Sequence, residues 1–177
     1  MKKILLILIS LLFQCGFGQN IWTNPITDIN PSAYDPYIIG DVTDTNILVS
    51  GIRRGPDITG EIIPNEYAAS GWNNTSISSL KYFEFTLSPQ NGYKINFSNF
   101  IFNSIASANG PTDFALYSSI DNFEYAIGTV VEGSNLISLS SNLFQNISLP
   151  LHLDYTRGML PMLLELLELK ILLLMEM

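Results

Sequence analysis

The sequence predicts a mainly β fold, a β-sandwich built from residues 19–150. Three observations carry that expectation. Short apolar runs alternate with Gly, Pro and Asn turns; the runs show period two; and no segment of residues 20–150 has a capped helical period. The chain of 177 residues is long enough for one domain with a real core.

The strands can be placed in order. ILVSGI (47–52) is β-branched and ends at the turn signal Arg53-Arg54-Gly55-Pro56. YFEFTL (82–87) sets Phe83, Phe85 and Leu87 on one face and Tyr82, Glu84 and Thr86 on the other, the mark of a half-buried strand. SPQNG (88–92) is a turn. YKINFSNFIFNSI (93–105) faces Tyr93, Ile95 and Phe97 inward, then Phe100 and Phe102, so its parity changes near Ser98-Asn99, as at a bulge or bend. After the Asn109-Gly110-Pro111 turn, FALY (114–117), residues 126–131 and residues 136–139 complete the set. The order and length of short strands between turns argue for sheet packed on sheet.

The N-terminus reads as a secretory leader over residues 1–18. Lys2 and Lys3 precede an apolar stretch, 4–13, that is too short to span a bilayer. Gly16 and Gly18 suit the cleavage site, leaving Gln19 first. Acylation of Cys15 is the competing reading, but Gln14 is a poor lipobox residue. The protein is therefore expected to be secreted or at the outer cell surface, with no transmembrane span in the mature chain. Removal of Cys15 would leave no thiol for a disulfide, a nucleophile or a metal.

The last segment, LPMLLELLELKILLLMEM (160–177), is unlike the rest. As a membrane span it fails, because Glu165, Glu168 and Lys170 would each cost about 2.5–3.5 kcal/mol at mid-bilayer. Leu, Met and Glu favour a helix, and such a helix would be apolar almost all round and would need a covering partner. Shifting the back-translated codons by one base offers another account. Met159-Leu160 and Met162-Leu163 then read Ala or Val, and Leu164-Glu165 and Leu167-Glu168 read Gly or Arg, or stop. With permitted codons residues 151–177 become xTFRLYAWNATNATGTAGIKDFTLNGN, which alternates like a strand, a loop and a strand. On this reading residues 151–177 are an out-of-frame, non-native helical tail, and the sandwich of residues 19–150 lacks its final strands.

Several stretches together, WNNTSISSLKYFEFTLSPQNGYKINFSNF (72–100), GPTDFALYSSIDNF (110–123), the Gly128-Thr129-Val130 step and FQNISLP (144–150), resemble a β-sandwich module of secreted Bacteroidota surface proteins. The likeness covers nearly all of residues 20–150. It implies a jelly-roll-like sandwich, export through type IX secretion and a place beside other domains of a larger exported protein. In that family the FQNI segment precedes a strand like TFRLYAW and a closing IxDFTxNG strand. The resemblance brings no active-site residues with it.

Composition excludes several functions. The net charge is −8, and the cations of residues 19–150 are only Arg53, Arg54, Lys81 and Lys94, so nucleic acid is not an expected partner. The single histidine, His152, lies in the suspect tail. Without it a Ser-His-Asp triad and a zinc site lack their residue types. GIRRGPDITG (51–60) lacks the lysine of a phosphate loop. Sequons at Asn73, Asn74, Asn96 and Asn146 sit in an Asn-rich chain and carry no weight.

What remains is modest. Trp22, Tyr67 and Trp72 could form an aromatic platform for sugar rings, against the commoner use of such residues in a core. Asp41, Asp44 and Asn46 offer oxygen ligands for a structural calcium ion, against a plain loop with Asx turns. Glu84, Asp113, Asp121 and Glu124 are the carboxylates from which a glycan hydrolase pair could come, against solvated surface acids. Arg53 and Arg54 read as a solvated turn or as partners of a nearby Asp. The expected function is a non-catalytic module for adhesion, carbohydrate binding or spacing, with glycans or cell-surface polymers as partners. The alternative is an accessory or catalytic part of a carboxylate-dependent glycan hydrolase.

Overall fold

A computed structural model describes residues 19–72, 78–107, 113–128, 130–158 and 162–163. The fold is mainly β, with antiparallel pairing throughout. A first sheet contains β3 (Ile47–Val49), β4 (Arg53–Arg54), β7 (Tyr82–Pro89), β9 (Asp113–Ser118) and β11 (Leu151–Gly158). Its order is β3-β7-β11-β9, with β4 also paired to β7. A second sheet contains β5 (Thr59–Glu61), β6 (Ala68–Ser70), β8 (Asn99–Ala106), β10 (Gly133–Ser138) and β12 (Met162–Leu163), in the order β10-β8-β12-β6-β5. A short ribbon joins β1 (Trp22–Thr23) to β2 (Val42–Thr43). Helical structure among the described residues is limited to three 3-10 turns, Pro31–Ala33, Ser119–Asp121 and Asn142–Phe144.

The two sheets share one apolar cluster. β7 sends in Phe83, Phe85 and Leu87, β8 sends in Phe100 and Phe102, and β11 sends in Leu151, Leu153 and Tyr155. Phe85 meets Phe100 at 5.4 Å between ring centroids, and Phe102 meets Tyr155 edge-on at 5.5 Å. These contacts join side chains of one sheet to those of the other. Offset and edge geometries of this kind add to the area the rings bury.

The expected parity change holds. Ile95 and Phe97 are buried, then Phe100 and Phe102 are, and the switch falls between Ser98 and Asn99. Before it the chain pairs with a different segment: Ile95 bridges Ile147 and the Phe97 amide donates to the Phe144 carbonyl. Tyr93, expected inward, is exposed because the strand pairing has not yet begun there. Residues 126–131 are not a strand among the described residues. Gly128 takes a left-handed φ of 67° and breaks the run, leaving Val130 in an isolated bridge. Arg53 and Arg54 form a short strand rather than a turn. Arg54 donates to the Ser32 carbonyl at 2.8 Å, lies 5.8 Å over the Tyr67 ring and approaches Asp35 at 3.8 Å.

The largest correction concerns the tail. Leu151–Gly158 is not outside the fold: it is an interior strand, paired with β7 on one side and β9 on the other. LHLDYT alternates apolar and polar as strictly as YFEFTL, so it buries Leu151, Leu153 and Tyr155 and turns His152 and Asp154 outward. Met162 then pairs with both Ala69 and Ala106. The out-of-frame account supposed this strand missing, and for these residues it loses that premise. The helix expected over residues 151–177 gives way to strand at residues 151–158 and 162–163; its other residues, 159–161 and 164–177, lie outside the described residues, as does the expected leader over residues 1–18. No helix among the described residues is long and apolar enough to cross a membrane.

Because Leu153 is fully buried between two sheet neighbours, Leu153→Ala should destabilise the protein by about 2–5 kcal/mol. Urea unfolding followed by tryptophan fluorescence measures this. An unchanged midpoint would mean that the strand lies outside the core.

Candidate functional site in the outer face of the first sheet

The alternation that fills the core also decorates the opposite face. Glu84 of β7 lies directly across from Asp154 of β11, and Asp154 directly across from Tyr117 of β9. Arg53 of β4 stands across from Glu84 on the other side. A row Arg53-Glu84-Asp154-Tyr117 thus crosses four strands. His152 is two residues from Asp154 on the same face.

Two carboxylates opposite each other on neighbouring strands repel unless a positive group intervenes. His152 is that group. Its Nε2 lies 2.5 Å from Glu84 Oε2 and 3.0 Å from Asp154 Oδ1. The Nε2 contact with Glu84 Oε2 has hydrogen-bond geometry. Asp154 Oδ1 is buried and lies 3.0 Å from the same nitrogen. The contact with Asp154 is the largest cause raising the His152 pKa above its usual value; partial burial opposes it, while the Asp154 and Glu84 charges and the Glu84 hydrogen bond reinforce it.

Local backbone fixes the ring in place. The His152 amide donates to Ser119 Oγ at 3.0 Å. Asn122 and Phe123 both take left-handed φ values, 56° and 60°. The Phe123 amide donates to the Ser118 carbonyl at 2.9 Å, and its ring stands edge-on to the His152 imidazole at 5.5 Å.

These groups open onto a cleft of about 670 Å³ lined in part by Tyr82, Glu84, Tyr117, Phe123, Glu124, His152 and Asp154. Its volume falls in the range of small-ligand sites. The Tyr82 hydroxyl is held protonated: burial pushes its pKa up, helped by Glu84, Asp154 and Asp35. It therefore remains a hydrogen-bond donor at neutral pH. Glu84 and Glu124, two of the candidate carboxylates, share this cleft, whereas Asp121 is engaged by the Tyr125 amide.

The other candidate residues go elsewhere. Trp22, Tyr67 and Trp72 are all fully buried, so they are core and present no ring to a sugar. Tyr67 and Trp72 each pack on Phe83 at 5.3 Å, and Trp22 packs on Phe85 at 4.9 Å. The oxygens expected to bind calcium have separate structural tasks. Asp41 Oδ1 accepts from Trp22 Nε1 at 2.6 Å and from Asn24 Nδ2 at 2.7 Å. Asp44 Oδ1 accepts from the Asn46 amide at 2.8 Å, an Asx turn, and its Oδ2 accepts from Gln19.

The Leu-rich run that follows His152 masks it in the sequence. The usable signal was the spacing His-x-Asp within a period-two run, which places both side chains on one face. Comparison with protein-family models, curated proteins and solved structures finds no match for this chain.

The Asp41 hydrogen bonds generate a test. Asp41→Ala would leave the indole N–H of buried Trp22 and the amide of buried Asn24 without their acceptor, at about 1–3 kcal/mol. Asp41→Asn retains a carbonyl acceptor and should cost less. Burial raises the Asp41 pKa, against the Trp22 and Asn24 hydrogen bonds that lower it. A raised folded-state pKa favours the fold below the unfolded value and loses that contribution as pH rises through the folded value. Relative to the parent, Asp41→Asn should therefore gain stability from about pH 4 toward neutrality. Thermal melts across that window check the sign.

Proposed function

We propose that the chain is an exported, non-catalytic β-sandwich module, jelly-roll-like in its layering, that binds glycan in the cleft over Glu84, His152 and Asp154. The observation that carries this reading is the make-up of the cleft. Rings of Tyr82, Tyr117 and Phe123 surround a small set of convergent polar groups. Sugars present apolar C–H faces and many hydroxyls. Aromatic rings take the former, and carboxylates and a tyrosine hydroxyl take the latter. The likeness to secreted Bacteroidota modules supports the export and surface setting, with type IX secretion as the route.

The runner-up, a carboxylate-dependent hydrolase, has a specific observation against it. Glu84 and Asp154 do lie close together, with ligand atoms within 4.8 Å. Yet the His152 imidazole touches both. A hydrolase pair must hold the glycosidic bond between its carboxyl groups, and here that space is filled by a side chain.

Binding to a panel of soluble plant and microbial polysaccharides, followed by calorimetry on those retained, tests the assignment. Tyr117→Ala should lower affinity by about tenfold or more, the equivalent of 1.4 kcal/mol or above, with little change in melting temperature. Retention that is indifferent to Tyr117 and Phe123 would remove the cleft as the binding surface.

A further inference from the structure

We propose that Glu84, His152 and Asp154 form a binding site for a divalent first-row transition cation of the zinc type. The three side chains each offer one ligand atom, and these atoms all lie within 4.8 Å of one another. They are the only such group of His, Cys, Asp or Glu among the described residues. One imidazole nitrogen with two carboxylate oxygens is a donor set suited to zinc. It is a poor set for calcium or magnesium, which take oxygen ligands. The neutral imidazole and two carboxylates would together cancel the charge of a divalent ion.

The geometry is close to what such an ion requires. Tetrahedral bonds of about 2.0–2.1 Å set ligand atoms about 3.3 Å apart. The His152 to Asp154 separation is 3.0 Å and the His152 to Glu84 separation is 2.5 Å. The imidazole would withdraw by less than about one ångström as the shared proton leaves, since metal binding releases the ligand's proton. All three residues stand on paired interior strands of one sheet, so their backbones are already fixed. The charge of the site also fits: Asp154 Oδ1 is buried and lies 3.0 Å from the His152 nitrogen, so a cation taking the place of the imidazole proton would keep that buried oxygen paired.

Three protein ligands leave one tetrahedral position open, and the cluster lines the cleft. A water or a ligand hydroxyl could complete the shell there, as at zinc sites with three protein ligands. The inference uses the cleft assigned above to glycan, but it rests on the ligand atoms and not on the identity of the glycan.

His152 is the only histidine in the chain, which gives a readout that needs no mutant. In full-length protein labelled with ¹⁵N at histidine, zinc chloride titrated at pH 7.5 should shift the His152 ring resonances, saturating at one ion per chain, and a chelator should restore them. Calorimetry should report the same stoichiometry. His152→Gln, verified as folded by its metal-free melt, should bind zinc at least about a hundredfold more weakly, since loss of even an outer partner costs up to that much. Asp154→Asn should weaken binding while retaining the strand. Calcium chloride should leave the ring signals unmoved. Zinc uptake with unchanged His152 resonances would place the ion elsewhere and overturn the proposal. No uptake at all would mean that the cluster holds a proton only. Glycan retention that survives chelation would leave the cleft reading standing, and uptake without glycan binding would leave the metal site standing.

Discussion

The antiparallel register of β11 between β7 and β9 is the constraint on which the rest depends. It sets Leu151, Leu153 and Tyr155 against the core and, by the same alternation, His152 and Asp154 on the outside. A slip of one residue would exchange the two sets. The apolar cluster would lose three members and take in an imidazole and a carboxylate, while Glu84 would lose its partner. Core packing therefore enforces the geometry of the cleft, although no cleft residue except by strand continuity belongs to the core.

Much of the fold was legible. The strict alternation of YFEFTL and the parity change near Ser98-Asn99 are local signals, and the structure follows both. What was not legible has physical reasons. Ala68–Ser70 and Thr59–Glu61 are short, small-residue strands whose pairing comes from neighbours and not from propensity. Residues 126–131 look β-branched, but the left-handed turn at Gly128 decides them. The aromatic residues were visible as a group, yet burial separates a platform from a core, and burial is a tertiary property. Trp22 shows this well. Its neighbour in space is Phe85, far along the chain, and its N–H finds Asp41, a residue whose oxygens looked available for calcium.

The site itself was only half visible. Glu84 was correctly placed on the outer face of its strand, and its partners lay in plain view as His-x-Asp. The Leu-rich run that follows their strand masks them. Composition averaged over residues 151–177 hid a six-residue alternation at its start. A windowed reading of period, applied before composition, separates the two.

The left-handed turn at Asn122 and Phe123 has a consequence for how this surface could be explored by mutation. A non-glycine residue in that conformation carries an energetic penalty of about 1–2 kcal/mol, and Phe123 is also about one-third exposed, at 37 %. Glycine would relieve the backbone but give up the ring's remaining burial and its edge-on contact with His152. A library selected for folding alone would weigh those two terms against each other at position 123, whereas one selected for occupancy of the cleft would retain the ring. A divergence of the two selections at that single position would mark the boundary between what the fold requires of this chain and what its surface is for.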